Sequence, residues 1–430
     1  MPRTTVSQLA SCIGQTVLLE GFVQALRHQG GLKFLILRDA TGIAQGVLFK
    51  GNAEAFAVAA DISVESVVRI TGQAKEEKQA PGGVEVAIDT IEVLSAAEPE
   101  LPIPVVVEKG AEEVSLPMRL DWRWLDLRRE ESLQIFKVWT ELERGFREVW
   151  AQKGYTQIYT PSFMNTSSET GAEVFEVSYF EKKAYLAQSP QFYKQMAMAA
   201  GFEKVFMVGP VFRAEPSFTT RHMTEFTGWD FELSYIESHH DVMDEEEACI
   251  VKGFEYIKNN LGLEIDVPTQ PFPRLTLAEV KEKLAKKGVH SEKSDDLSPE
   301  EERAICALVK EEHNHDFVFV TDYPASIRAF YHMRHEDQPT LTKSFDLMYR
   351  GLEITTGAQR EHRIEVLKKQ ALEKGMSLES LEQYINFFKY GCPPHGGAGI
   401  GPGRIVMMLL GLDSVKEATF LPRDVKRLTP

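Results

Sequence analysis

The stretch Gly397-Ala398-Gly399-Ile400-Gly401-Pro402-Gly403-Arg404, with the apolar run Ile405-Val-Met-Met-Leu-Leu410 behind it, decides how this chain is read. Glycine at every second position strips one face of a strand of side chains, so a flat ligand can lie against bare backbone. Arg404 then opens an apolar helix, and a helix N-terminus and a guanidinium both favour phosphate. No Gly-Lys-Ser or Gly-Lys-Thr follows, so this is not a Walker loop. Alone, such a run says little. Its weight comes from two constellations upstream of it.

The nearer one is Phe345-Asp346-Leu347 followed by Gly351-Leu-Glu353-Ile-Thr-Thr356-Gly357-Ala-Gln-Arg360. Asp346 and Glu353 offer the hard oxygens that Mg²⁺ takes beside phosphates. Thr356 adds a hydroxyl three residues after Glu353, and Arg360 a cation seven after it. Odd offsets change faces on a strand, so the chain at Gly357 is expected to redirect Arg360 into the same cavity. The farther one is Phe212-Arg213-Ala214-Glu215, a polar loop, and Arg221-His222-Met223-Thr224-Glu225-Phe226. Strand, loop and strand make a hairpin in which Arg213 neutralises a phosphate and Phe226 stacks on a base. An isolated charged hairpin would more often be solvated surface.

Toward the N-terminus the pattern changes to short strands: Gln15–Val23, Leu32–Arg38, Ile43–Phe49, Val67–Gly72 and Val84–Val93. Turns at His28-Gln-Gly-Gly31, Ala40-Thr-Gly42 and Pro81-Gly-Gly83 separate them, with a helical patch near Ala53–Ala60. Five such strands suit an OB-type barrel, and an SH3-like barrel gives a similar string. Glu98-Pro-Glu-Leu-Pro-Ile-Pro104 reads as a stiff linker. Leu133, Phe136, Val138, Trp139, Leu142, Phe146, Val149 and Trp150 then repeat at helical spacing over about Ser132–Lys153. A stripe this aromatic suits a core, and an interface looks the same from sequence.

Further strands (184–188, 204–212, 229–236, 317–321, 344–349, 351–357) alternate with helices (191–200, 240–261, 377–390). Ser298-Pro-Glu-Glu301 is a capping box opening a helix to about His313. The expected division is a barrel domain over 1–100, a linker or hinge over 101–130, and an α+β domain over 131–430. The last carries a largely antiparallel sheet flanked by helices and a helical insertion around 278–315 without catalytic-looking groups.

The 430 residues carry 48 Lys and Arg against 64 Asp and Glu, a net charge of −16. That argues against gripping nucleic acid through bulk positive charge. The four cysteines, Cys12, Cys249, Cys306 and Cys392, form no close pair, so neither a zinc site nor a disulfide framework is expected. No stretch is apolar enough to span a bilayer and no signal core opens the chain, which points to a reducing cytoplasm.

In this order the constellations resemble the signature motifs of class II aminoacyl-tRNA synthetases. The long helix and the strand ending at Pro161 match the first motif, Phe212–Glu232 the second and Gly397–Leu410 the third. A leading OB-fold barrel is similar to the subgroup handling aspartate, asparagine and lysine. Gln188-Ser-Pro-Gln191-Phe-Tyr-Lys194-Gln195, Thr356-Gly-Ala-Gln-Arg360-Glu-His-Arg363 and Leu421–Pro430 resemble its aspartate branch of archaeal type.

The resemblance implies ATP and L-aspartate as substrates, Mg²⁺ as cofactor, tRNA(Asp) as acceptor and a homodimer. Arg213 and Arg404 would act on the reacting groups. Glu215, Arg221, His222, Met223, Phe226, Glu353, Gly401, Pro402 and Gly403 would complete the ATP site. Asp346, Glu353 and Thr356 would hold Mg²⁺. Lys194 and Arg360 would meet the substrate's side-chain carboxylate, and Glu169 its ammonium, with Gln191, Arg213 and Thr356 alongside. Phe34 and Gln45 would read the middle anticodon base, with Glu85 a further contact. Pro81 resembles relaxed forms that charge both tRNA(Asp) and tRNA(Asn), whereas Gln24 stands where those forms often carry histidine. A partly non-discriminating enzyme is therefore expected. Gly403 replaces a frequent acid before the motif arginine, and Thr356 a frequent serine. Asparagine-specific relatives lack a lysine matching Lys194. A non-catalytic relative would lack Arg213 and Arg404, and an amidating one the barrel with Phe34 and Gln45.

Overall fold

A computed structural model describes residues 1–107, 110–165 and 173–430. Two units emerge, Met1–Val114 and Ser115–Pro430.

In the first unit, β1 (Thr16–Gln29), β2 (Leu32–Asp39) and β3 (Gly42–Phe49) precede α1 (Ala53–Val58). Then come β4 (Val67–Glu76) and β5 (Val84–Ser95), closing a barrel of order β1-β2-β3-β5-β4. Alternation drives it: Val17, Leu19, Val23, Leu35, Leu37, Ala44 and Leu48 point inward with Val68, Ile70, Val84, Val86 and Ile88. Five strands, closed, with the helix after the third, decide for the OB fold.

The second unit opens with α2 (Leu116–Asp121) and α3 (Arg123–Asp126), within the stretch 101–130 expected to be linker. Arg123 explains why this end of the stretch is not one. Its buried guanidinium bonds Asp126 at 2.5 Å and the carbonyls of Glu417, Thr419 and Phe420 at 2.7–3.2 Å. The helices are thus tied to the far end of their own unit.

Next come α4 (Glu130–Gln152), β6 (Thr156–Gln157), β7 (Phe163–Met164), β8 (Glu176–Tyr179) and β9 (Lys182–Leu186). They are followed by α5 (Gln191–Ala199), β10 (Lys204–Phe212), β11 (Glu225–Ser234), α6 (His239–Leu261), β12 (Arg274–Thr276), α7 (Leu277–Lys286) and α8 (Pro299–His313). The remainder is β13 (Phe317–Thr321), β14 (Ser344–Tyr349), β15 (Leu352–Arg360), α9 (Ile364–Glu373), α10 (Glu382–Asn386), β16 (His395–Ile400) and α11 (Pro402–Leu410).

One eight-stranded sheet runs β12-β13-β14-β15-β16-β11-β10-β6. Its six middle strands pair antiparallel, and only the two edge strands pair parallel. One face is covered by α4 and α6. Phe146 and Trp150 are buried within the chain, with Trp150 stacked on Phe206 at 4.4 Å and Phe146 edge-on to Trp229 at 4.9 Å. Phe146 and Trp150 of the α4 stripe are therefore this unit's own core, while Phe136 and Trp139 are partly buried against it.

Two local readings change. The helix expected over 377–390 shrinks to α10. Ser377 and Ser380 bond their own backbone there, Ser380 Oγ donating to Ser377 O at 2.8 Å, which competes with a helical ladder. The supposed insertion is no appendage either: α7 and α8 pack Val280, Leu284, Ile305 and Val309 against Val318 and Val320 of β13.

Candidate active site

The site is built on the face of the sheet opposite α4 and α6. In β11, Trp229, Phe231 and Leu233 enter the core beneath, so Asp230 and Glu232 must point the other way. Their register partners on β16 are Gly399 and Gly397. A methyl group at Gly397 would lie 2.1 Å from Glu232 Oε2, and one at Gly399 3.2 Å from Asp230 Oδ1. Gly397 and Gly399 thus make room for two carboxylates, and Gly399, Gly401 and Gly403 line the cleft.

Those carboxylates hold the two cations singled out for aspartate. Arg360 Nε donates to Glu232 Oε1 at 3.0 Å, Nη2 to Gly397 O at 2.7 Å, and Nη1 pairs with His332 Nε2 at 3.2 Å. Lys194 Nζ donates to Asp230 Oδ1 at 2.8 Å and Ala398 O at 3.1 Å, with Glu232 Oε2 3.4 Å away. Burial alone would raise the Glu232 carboxyl, but Arg360 and Lys194 outweigh it and hold it below its ordinary value. Burial and then Arg360 push His332 well down, so it stays neutral and accepts from the guanidinium.

Above this quartet opens a cleft of about 780 Å³. Arg360, Asp230 and Gln191 form its floor. Lys194 is only 1% exposed and is paired with Asp230, which lines the cleft. Glu169 lies outside the described residues.

The hairpin of β10 and β11 brings Arg213, Glu215, Arg221, His222, Met223 and Phe226 to the same cleft. Arg213 lies over the Phe226 ring at 5.6 Å. His222 Nδ1 bonds the hydroxyl of Thr219 at 2.5 Å and that of Ser217 at 3.1 Å. Burial, then Arg404 and Arg221, push its pKa down to about 4, so the ring is neutral at pH 7. Gly401, Gly403 and Arg404 line the opposite wall; Pro402 is buried as the first residue of α11. Arg404 Nη1 donates to Glu353 O at 2.8 Å. The segment Thr419–Leu421 closes one side, a contribution sequence reading missed.

Glu353 and Thr356 line the cleft, and Asp346, the register partner of Thr356, is buried beside them. The redirection expected at Gly357 occurs earlier. Leu347 pairs with Thr355 and Met348 with Glu353, leaving Ile354 as an extra residue in β15. That bulge turns the odd offsets into even ones, so Glu353, Thr356 and Arg360 share a face. Gly357 instead gives room to the Phe345 ring, which a methyl there would strike at 2.2 Å.

Thr356 Oγ1 donates to Glu353 Oε1 at 3.2 Å, and Asp346 Oδ2 accepts from Arg328 at 2.5 Å. Asp346 Oδ1 is buried without a hydrogen-bond partner. Burial raises the Asp346 carboxyl above its ordinary value; Arg328 opposes this and Glu353 adds to it. Two carboxylates and a hydroxyl, one oxygen unpartnered, fit a hard divalent cation that takes its other ligands from phosphate and water. Among the described residues no group of three or more His, Cys, Asp and Glu could hold a metal ion by itself. Asp230, Glu232, Arg328 and His332 were not singled out from sequence. The acids at alternate positions of an apolar strand, Trp229-Asp-Phe-Glu-Leu233, were the signal for the first two.

In the barrel, Phe34 and Gln45 face outward. Gln45 is the register partner of Ile36, two residues from Phe34, and also of Glu85, to whose Oε2 its Nε2 donates at 3.2 Å. The three form one surface across β2, β3 and β5. Gln24 accepts from Arg38 Nη1 at 3.3 Å, and Pro81 opens the turn before β5.

Residues 115–425 match the family model for class II tRNA synthetases (D, K and N), and residues 17–94 that for the OB-fold nucleic acid binding domain. The chain is 44% identical to an aspartate–tRNA(Asp/Asn) ligase of Aeropyrum pernix, covering 99% of this chain and 98% of that one. It is 40% identical to an aspartate–tRNA(Asp) ligase of Thermoplasma volcanium over the full length of both. A crystal structure of asparaginyl-tRNA synthetase from Pyrococcus horikoshii with asparaginyl-adenylate superposes with a TM-score of 0.91 at 33% identity, covering all of both chains. The chain therefore belongs to the class II tRNA synthetases of the aspartate, lysine and asparagine group, with an OB-fold nucleic-acid-binding domain ahead of the catalytic one.

Proposed function

We propose that this protein attaches L-aspartate to tRNA(Asp), through an aspartyl-adenylate made from aspartate and ATP. The observation that carries this reading is the buried quartet of Arg360, Glu232, Lys194 and Asp230. Arg360 is locked by Glu232, His332 and Gly397 with an edge left toward the cleft. A carboxylate side chain meets that cation with a charge, whereas an amide meets it with none and leaves it underpaired. Asp230 and Gln191, on the same floor, receive the substrate ammonium, with Glu169 the further acid proposed for that role.

ATP lies along the cleft, its adenine between Phe226 and Arg404. Arg213 faces the α-phosphate, where charge builds as the aspartate α-carboxylate attacks and pyrophosphate leaves. Glu215, Arg221, His222, Met223, Gly401, Pro402 and Gly403 complete the pocket, and neutral His222 serves as a hydrogen-bonding group. Asp346, Glu353 and Thr356 would hold Mg²⁺, which when bound neutralises phosphate charge. No protein nucleophile is required, because holding the carboxylate against phosphorus supplies the rate. The adenylate then passes aspartate to the terminal ribose of the tRNA.

Phe34 stacks on an anticodon base while Gln45 and Glu85 bond base edges. Gln24 and Pro81 border that surface, and the enzyme also charges tRNA(Asn) in part. It works as a cytoplasmic homodimer; no described helix is long and apolar enough to cross a membrane. A monomer in sedimentation at micromolar concentration would count against the dimer. ATP–pyrophosphate exchange tests the central claim: exchange with aspartate and none above background with asparagine supports it. Faster exchange with asparagine overturns it. Charging of tRNA(Asp) and tRNA(Asn) transcripts then decides the tRNA range.

A further inference from the structure

The helix α8 was read from sequence as part of an appended segment. Its first turn carries three consecutive acids, Glu300, Glu301 and Glu302. Glu301 closes the capping box and pairs with Lys281. Glu302 points elsewhere. Only 5% exposed, it places Oε2 2.8 Å from Arg221 Nη1, a residue 81 positions away in the hairpin loop that lines the cleft. Glu301 is buried as well, at 2% exposed, and its cap and Lys281 account for it; the partner that accounts for buried Glu302 is Arg221.

A second contact fixes α8 from the other side. Gly351, at the turn between β14 and β15, has φ +91°, and a methyl there would lie 2.9 Å from Arg303 Cγ and 3.0 Å from its Cα. The helix is thus seated directly on the hairpin that carries Asp346 and Glu353. Adjacent residues of one helical turn thus touch the hairpin that carries Asp346 and Glu353 and the loop that carries Arg221.

We infer that Glu302 is a positioning residue: it holds Arg221 extended toward the phosphate end of the cleft, so α8 is a working part of the ATP site. The inference rests on the reading of that cleft as the ATP site. The physical reason is entropic. Arg221 sits on an irregular loop, and a free arginine there would surrender its rotamers when phosphate arrives. Anchoring one N–H on a buried carboxylate leaves the other donors aimed before ATP binds.

The test is ATP–pyrophosphate exchange with Glu302→Ala and Glu302→Gln, with melting temperatures recorded for both. Loss of one positioning hydrogen bond is expected to raise KM for ATP about three- to tenfold in Glu302→Ala, with KM for aspartate unchanged. Glu302→Gln keeps shape and an acceptor oxygen, so it should recover most of the ATP affinity and guards against an alanine variant that does not fold. In the Arg221→Ala background, Glu302→Ala should add nothing. An unchanged KM for ATP in a folded Glu302→Ala overturns the inference. So does a lower KM in Glu302→Gln, which would mean that Glu302 competes with phosphate for Arg221. Arg213→Ala separates the two levels: if it leaves exchange intact, the reading of the cleft fails. If it abolishes exchange while both Glu302 variants match the parent, only the role of Glu302 fails.

Discussion

Arg213 and Glu246 show two kinds of single residue, one facing the cleft and one hidden behind it. Arg213 lies over the Phe226 ring on the cleft wall, and its candidacy came from the three constellations taken together, since its charged hairpin alone reads as surface. Removing a donor aimed at developing charge costs about 100- to 1,000-fold in rate. Arg213→Ala is therefore expected to lower exchange by that factor and leave tRNA binding, measured by filter retention, unchanged. Glu246 gave no sign in the sequence, since an acid in α6 reads as surface. It is fully buried, and burial pushes its pKa up to about 8, opposed by the Thr355 hydroxyl and reinforced by Glu247 and Asp346. The folded value thus lies above the ordinary 4.5, so the folded chain keeps a proton that the unfolded chain loses. Stability from this group is full below about pH 4.5 and is lost as pH rises toward about 8. Glu246→Gln should flatten the fall in urea midpoint between those limits; a slope equal to the parent's would refute the assignment.

Elements pack where small residues permit it. Gly145 of α4 meets Gly253 of α6, and a methyl at Gly145 would lie 2.6 Å from the Gly253 backbone. Helix propensity alone favours alanine by about 1 kcal/mol. Overpacking against backbone costs about 1–3 kcal/mol, so Gly145→Ala is expected to destabilise on balance, read as a lower denaturant midpoint. A higher midpoint would show that the two helices can part. The Ile354 bulge makes the same point in the sheet. Strand β15 was visible from its composition, but period-two logic put Glu353 and Arg360 on opposite faces. An inserted residue is a matter of pairing with β14, which no local pattern encodes. For α8, the capping box was legible and the burial of Glu302 was not, because its partner lies in another hairpin.

For the whole molecule, the charge of −16 sets how RNA can be held. Residues 1–100 carry 8 Lys and Arg against 12 Asp and Glu, so the barrel has no basic coat. Binding then rests on stacking and base-edge contacts from Phe34, Gln45 and Glu85. Phe34→Ala is expected to spare exchange while reducing charging about tenfold or more, since one stacked base contributes about 1–3 kcal/mol. The salt slope of tRNA binding should be shallow, reporting few neutralised phosphates; a steep one would reveal local basic surface. The sequence by itself determined the barrel, the sheet strands and the three constellations, because alternation, turn residues and motif spacing are local properties of a chain. Only the tertiary structure decided that alternate glycines house Asp230 and Glu232, that Lys194 pairs with Asp230, and that α8 reaches Arg221. Each is a contact between segments far apart in the chain, set by strand order and register, and side-chain periodicity carries no record of which strands will be neighbours.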